Sequence, residues 1–228
     1  MINLFLADLS RPSNVRVFLK ALLWFAVVAV SYYLLLAVGL HYLLETLDAF
    51  QSDALGWLFV IVAPIAHLAF GFSLYVMAMP LLMLILSFYS QTIFDNVHQT
   101  HYAGLVKSHN ASPNNVWRLS VKTGVFYLLM MLIGLPVLLV PVVGHLLYLV
   151  LGFWVFRKFL LIDMVGLWYA PEKLPVYTGL FSDEAKFILP TLLLYLMSLI
   201  PVVGLFSPYV AMILVAHLML SEHREKEA

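Results

Sequence analysis

Long apolar runs alternate with short polar connections along this chain. The first run, Ala21 to Leu44, is long enough for one membrane-spanning helix, which needs about 20 apolar residues. Trp24, Tyr32, Tyr33 and Tyr42 fall where interfacial aromatics are expected. An acidic connection with Glu45, Asp48 and Asp53 follows. A second run extends from about Ala54 to Phe88 and is interrupted by Pro64, Gly71 and Pro80. It predicts a kinked helix that continues past the membrane surface. The stretch SQTIFDNVHQTHYAGLVKSHNASPNN is the most polar and reads as a loop with a helical turn or two. Ser112-Pro113-Asn114 then reads as a helix start, with a capping hydroxyl and a proline in the first turn.

The tetrapeptide Pro-Val-Val-Gly occurs twice, at Pro141–Gly144 and Pro201–Gly204, each time inside an apolar run. The arms before the two copies are short. Val125 to Val140 spans about 24 Å as a helix, and Phe187 to Ile200 about 21 Å. A bilayer core is about 30 Å thick. Each arm is followed by another short one, Leu146–Phe156 and Phe206–Leu220. The pattern predicts two helical hairpins that enter the membrane and turn back inside it. Pro ends one helix and Gly allows a tight backbone. Such tips need cover from protein or a wet cavity, because bare backbone in lipid is expensive.

Under that reading the bases Arg11, Arg16, Lys20, Lys107, Arg118, Lys122, Arg157, Lys158, Lys173, Lys186, Arg224 and Lys226 share one side. The excess of positive charge makes that side cytoplasmic, with both termini. Four full spans in place of the hairpins satisfy the charges equally well. Composition agrees with a membrane protein: 64% hydrophobic and 11% charged residues, with mean hydropathy +0.99. The net charge of zero gives no reason to expect nucleic acid. The absence of cysteine removes disulfides and thiolate metal ligands, and fits a bacterial membrane. The first residues read as a short interfacial helix with Ile2, Leu4, Phe5 and Leu9 facing lipid, rather than as a signal peptide.

The second half of the chain resembles the CysZ sulfate permease family, which includes the eukaryotic etoposide-induced membrane proteins. The resemblance rests on Val140-Pro141-Val142-Val143-Gly144, Asp163 in LLIDMV, and Ile200-Pro201 through Leu205-Phe206-Ser207-Pro208. It implies an all-α membrane fold of two long transmembrane helices and two half-penetrating hairpins. It also implies an N-terminal Pro-Gly-Leu-Arg-Arg-Phe-like sulfate motif, which here reads PSNVRVF, Pro12 to Phe18. Arg16 matches the first arginine, while Asn14 and Val15 stand for Gly and Leu. Val17 replaces the second arginine, and one residue is inserted after the proline. The chain reads as one domain, 1–228. Its parts are an N-terminal segment 1–20, two long helices 21–94, a polar loop 95–115, a first hairpin region 116–169 and a second hairpin 182–221.

Asn14, Val15 and Arg16 are the expected anion site, where a helix N-terminus offers N–H groups beside a cation. Pro141, Gly144, Pro201 and Gly204 are the expected hairpin tips. Arg157 and Lys158 are placed at the cytoplasmic surface, and Asp163 is expected to pair with Arg118 or Lys122. His98, His101 and His109 with Asp95 suggest a metal at first sight, yet nothing completes a ligand set, so no metal and no cofactor are implied. His67 and His217 read as packed polar groups in apolar runs. No catalytic or nucleotide-binding motif is visible, so the chain is read as no enzyme and without an ATP drive. The expected function is an inner-membrane permease passing a small inorganic anion such as sulfate. Lipid and the anion are its partners, and a homo-oligomer is expected to cover the hairpin tips. The alternative is a non-transporting scaffold or assembly factor with the same fold.

Overall fold

The computed structural model describes residues 2–49, 78, 80–106, 113–134, 141–168, 185–200 and 202–227. Among them eight helices and no strand occur. They are α1 (Ile2–Leu9), α2 (Pro12–Ala49), α3 (80–87), α4 (Ser90–His101), α5 (Pro113–Gly134), α6 (Pro141–Trp168), α7 (Ala185–Ser198) and α8 (Val203–Glu227). The second long run of the sequence falls mostly at 50–77, outside the described residues.

The first apolar run becomes a single helix of 38 residues, longer than expected at both ends. It absorbs Glu45, which pairs with His41 at 3.2 Å one turn back, where a connection was expected. Its apolar surface stays bare: only 6% of an apolar 18-residue stretch within Pro12–Gly39 is buried, and Leu23, Val30, Leu34 and Leu35 are exposed. Among the described residues the other helix apolar and long enough to cross a membrane is Val203–Glu225, in which 67% of an apolar 18-residue stretch is buried. One span thus faces outward and the other forms the centre of the bundle. An outward apolar face of this length suits lipid and not water.

The polar loop expected at 95–115 is helical as far as His101. Ile93, Phe94 and Val97 are buried and supply an apolar stripe that the surrounding polar residues hide in the sequence. Together with Leu82, Leu86, Phe159, Met212 and Trp168 they form the packed core. The N-terminal helix also differs from expectation. Ile2 and Leu4 are exposed, but Phe5 and Leu9 pack against the core.

Helices α5 and α6 run antiparallel. Ser120 meets Asp163, Gly124 lies where a Cβ would touch Phe159 at 3.4 Å, and Phe126 contacts Trp154 edge-on at 5.9 Å. Pro141 opens α6, and residues 135–140 lie outside the described residues. The second arm does not stop at Phe156: α6 runs for 28 residues to Trp168. Its basic pair is carried on the continuous helix, with Lys158 lying 4.5 Å over the Trp154 ring.

Helices α7 and α8 form a second antiparallel pair with a described turn. Leu199 and Ile200 N–H groups bond back to Leu196 and Met197 O, and Gly204 N–H bonds to Ile200 O at 2.7 Å. The tight backbone falls on Val202, with φ 68°, and not on the glycine. Gly204 has another role. A Cβ there would collide with the Ser198 carbonyl, so hydrogen at this position lets the helices approach. Pro201 lies outside the described residues. Here too the second arm is long, 25 residues against 14 in the first. In both helix pairs the second helix is therefore longer than the short arm expected from the sequence.

Candidate functional site

The N-terminal end of α2 carries the expected anion site, and the structure surrounds it with polar groups from α1, α4 and α8. Asp8, on the last turn of α1, is 2% exposed. His217 Nε2 lies 3.1 Å from its Oδ2, and His101 Nε2 lies 3.2 Å from its Oδ1. The His101 contact is off line for a hydrogen bond, so it is an ion-pair approach only. The Arg11 guanidinium lies 3.6 Å from Oδ1.

The tautomer of His217 follows from its two partners. A carboxylate only accepts, so Nε2–H donates to Asp8. Nδ1 then accepts from the Tyr102 hydroxyl, 3.2 Å away. Burial pushes the Tyr102 phenol above its ordinary value; the Arg224 charge opposes this and the Asp8 charge adds to it. Tyr102 therefore remains a donor across the physiological range.

Asn14 is fully buried and links the elements. Its Nδ2 donates to the Asp8 carbonyl at 3.0 Å, and its Oδ1 accepts from Asn96 Nδ2 at 2.7 Å. Arg11 donates to the Thr100 hydroxyl and, at 3.4 Å, to the Asn96 carbonyl. Tyr209 on α8 donates to the Leu9 carbonyl at 3.0 Å, closing the end of α1.

Of the three expected anion-site residues, then, Asn14 is engaged by protein and Arg16 is exposed on α2. The Val15 N–H donates to Arg11 O at 2.9 Å. Asp8 supplies a buried carboxylate at this end of the bundle, and two imidazoles and a guanidinium converge on it. Sequence reading missed Asp8 and Arg11, although both flank the PSNVRVF motif within a few residues.

The expected histidine group is taken apart. His98 Nε2 sits 3.0 Å from the Leu105 carbonyl, while His101 turns to Asp8. His109 and His67 lie outside the described residues. Among the described residues no set of His, Cys, Asp and Glu is arranged to hold a metal. His217 reads correctly as a packed group bonding across helices.

Asp163 does not pair with Arg118 or Lys122. Both cations are exposed on α5, and Asp163 Oδ1 instead accepts from Ser87 at 2.6 Å and Ser120 at 2.9 Å. The register of α5 on α6 decides this: it turns Ser120 inward, and the long cationic side chains reach water more cheaply than a fully buried acid.

Comparison with curated proteins and with solved structures finds no match. The family described as "Sulfate transporter CysZ/Etoposide-induced protein 2.4" matches residues 4–208, which takes in Asp8, Arg11, Asn14 and His101 of the polar cluster and the α5–α6 pair, and ends near the start of α8. The chain belongs to the sulfate transporter CysZ/etoposide-induced protein family.

Proposed function

We propose that the chain is a permease-like protein passing a small inorganic oxyanion such as sulfate across a bacterial inner membrane, both termini cytoplasmic. The observation that carries this reading is the family match across residues 4–208. The exposed apolar length of α2 and the cations Arg11 and Arg16 near its N-terminus support it. Arg16 is the capture residue in this reading. It is free to swing toward an anion at the end of α2, whereas Asn14 and the Val15 N–H are held by protein. Carrying a dianion into a negative compartment works against roughly 2.3 kcal/mol per charge per 100 mV. The reading therefore includes an ion coupling or a partner as the drive.

Labelled sulfate should bind the purified protein, and Arg16→Ala should weaken binding about tenfold, the worth of one charge-assisted contact. Equilibrium dialysis measures both. Unchanged binding in Arg16→Ala removes the proposed capture residue.

The hairpin tips belong to the same reading. Val202 is 70% exposed at the α7–α8 turn, and the chain has no cysteine. A Val202→Cys variant should resist a membrane-impermeant maleimide from either side if the turn ends within the bilayer. Labelling from outside would replace the hairpin by two full spans.

One observation favours the scaffold alternative: Asp8 fills the place where an anion would meet His101, His217 and Arg11. A stoichiometric protein partner on purification, together with no sulfate binding, would decide for it.

A further inference from the structure

Helices α5 and α6 carry exposed cations at one shared end. Ser120 of α5 meets Asp163 of α6 there, and Arg118 and Lys122 lie exposed on α5 on either side of Ser120. Lys158 of α6 is half-buried, its Nζ 4.5 Å over the Trp154 ring. Neither helix offers these cations an acid. Helix α5 has no carboxylate, and the one on α6 is Asp163, fully buried against Ser87 and Ser120.

From the cations, both helices run bare apolar lines toward their other end. On α5, Phe126 lies four residues after Lys122, and Leu129 and Ile133 continue the line at helical spacing. On α6, Trp154 lies four residues before Lys158, and Val150, Leu147 and Val143 continue it. All of these apolar residues are exposed. Phe126 and Trp154 meet edge-on at 5.9 Å, which sets the two lines side by side.

The line from Trp154 to Val143 is about 16 Å long at the rise of an α-helix. One leaflet of a bilayer core is about 15 Å deep, half of its roughly 30 Å thickness. An apolar stripe one leaflet deep, with an indole and then cations at one end, has the layout of a single phospholipid. The acyl chains fit along the stripe, the glycerol at the level of the indole, and the headgroup among the cations. A zwitterionic headgroup would bring its own cation against Lys122 and Lys158, whereas an acidic one brings only negative charge.

We propose that the α5–α6 face is a binding site for an acidic glycerophospholipid, with its phosphate held by Arg118, Lys122 and Lys158 and its chains along the lines that start at Phe126 and Trp154. The site stands whether or not the chain carries sulfate.

Tryptophan quenching of the full chain in phosphatidylcholine vesicles tests it. Phosphatidylglycerol or phosphatidylcholine with brominated chains is added, and the Trp154 signal is taken as the difference between the native chain and Trp154→Phe. Brominated phosphatidylglycerol should quench that signal with an apparent affinity at least about fivefold above brominated phosphatidylcholine, the worth of one surface cation. Changing Lys122→Gln and Lys158→Gln together should bring the two lipids within about twofold of each other. Lys20→Gln, which removes an exposed cation from α2, should leave the preference intact. Equal quenching by both lipids in the native chain, or a preference lost equally in Lys20→Gln, overturns the site. Quenching by neither lipid means that protein covers this face, and overturns it too. Sodium sulfate separates a lipid from a free oxyanion: it should weaken the phosphatidylglycerol preference no more than sodium chloride of the same ionic strength. A larger loss with sulfate would make this a site for the soluble anion and overturn the lipid assignment.

Discussion

Asp8→Ala is expected to lower the melting temperature of the detergent-solubilised protein by about 6–12 °C. The reasoning starts from burial. Asp8 is 2% exposed and His217 is fully buried, so neither can exchange its partner for water. Truncating the acid leaves His217 Nε2 without an acceptor and Arg11 and His101 without their shared negative charge. Removing one member of a buried charged set costs about 3 kcal/mol or more. A chain of this size loses about 2–4 °C per kcal/mol. Asp8→Asn keeps an acceptor oxygen and should lose less. The pair Asp8→Ala and His217→Leu should be less than additive, since each removes the other's orphan. A melting temperature within a degree of native in Asp8→Ala would mean the cluster does not hold α1 to the bundle.

Gly204→Ala is the second change with a large expected effect. The added Cβ would meet the carbonyl of Ser198, a backbone atom at the end of α7 that cannot rotate away. The turn between them is already held by the Gly204 N–H to Ile200 O bond and by Val202 at positive φ. Relief therefore requires α7 and α8 to separate, and overpacking of this kind costs about 1–3 kcal/mol. Gly39→Ala is the matched control. It lies within α2 with nothing within 4 Å of its added Cβ. There Ala should stabilise by about 0.5–1 kcal/mol, the ordinary helix preference. Thermal unfolding of both variants separates a packing glycine from an idle one. Equal behaviour would remove the close approach at the second hairpin.

Some of this was readable in the sequence and some was not, for identifiable reasons. Apolar run length gave α2, and Pro113 gave the start of α5, because both are local signals. The paired Pro-Val-Val-Gly segments located the α7–α8 turn, although the glycine packs and a valine bends. Helix α4 was hidden because three apolar residues, Ile93, Phe94 and Val97, bury it among polar neighbours. The Asp8 cluster joins residues up to 209 positions apart, and no spacing rule reaches that far. Asp163 stands out in the sequence as an acid in the apolar stretch LLIDMV. Its serine partners depend on the rotation of α5, which charge counting along the chain does not reveal.

Sulfate uptake into proteoliposomes tests the central claim most directly. Labelled sulfate should accumulate above the level of empty vesicles when the native chain is present, and Arg16→Ala should reduce that accumulation. Uptake no greater than in empty vesicles, from protein that remains folded and correctly inserted, would contradict the permease reading.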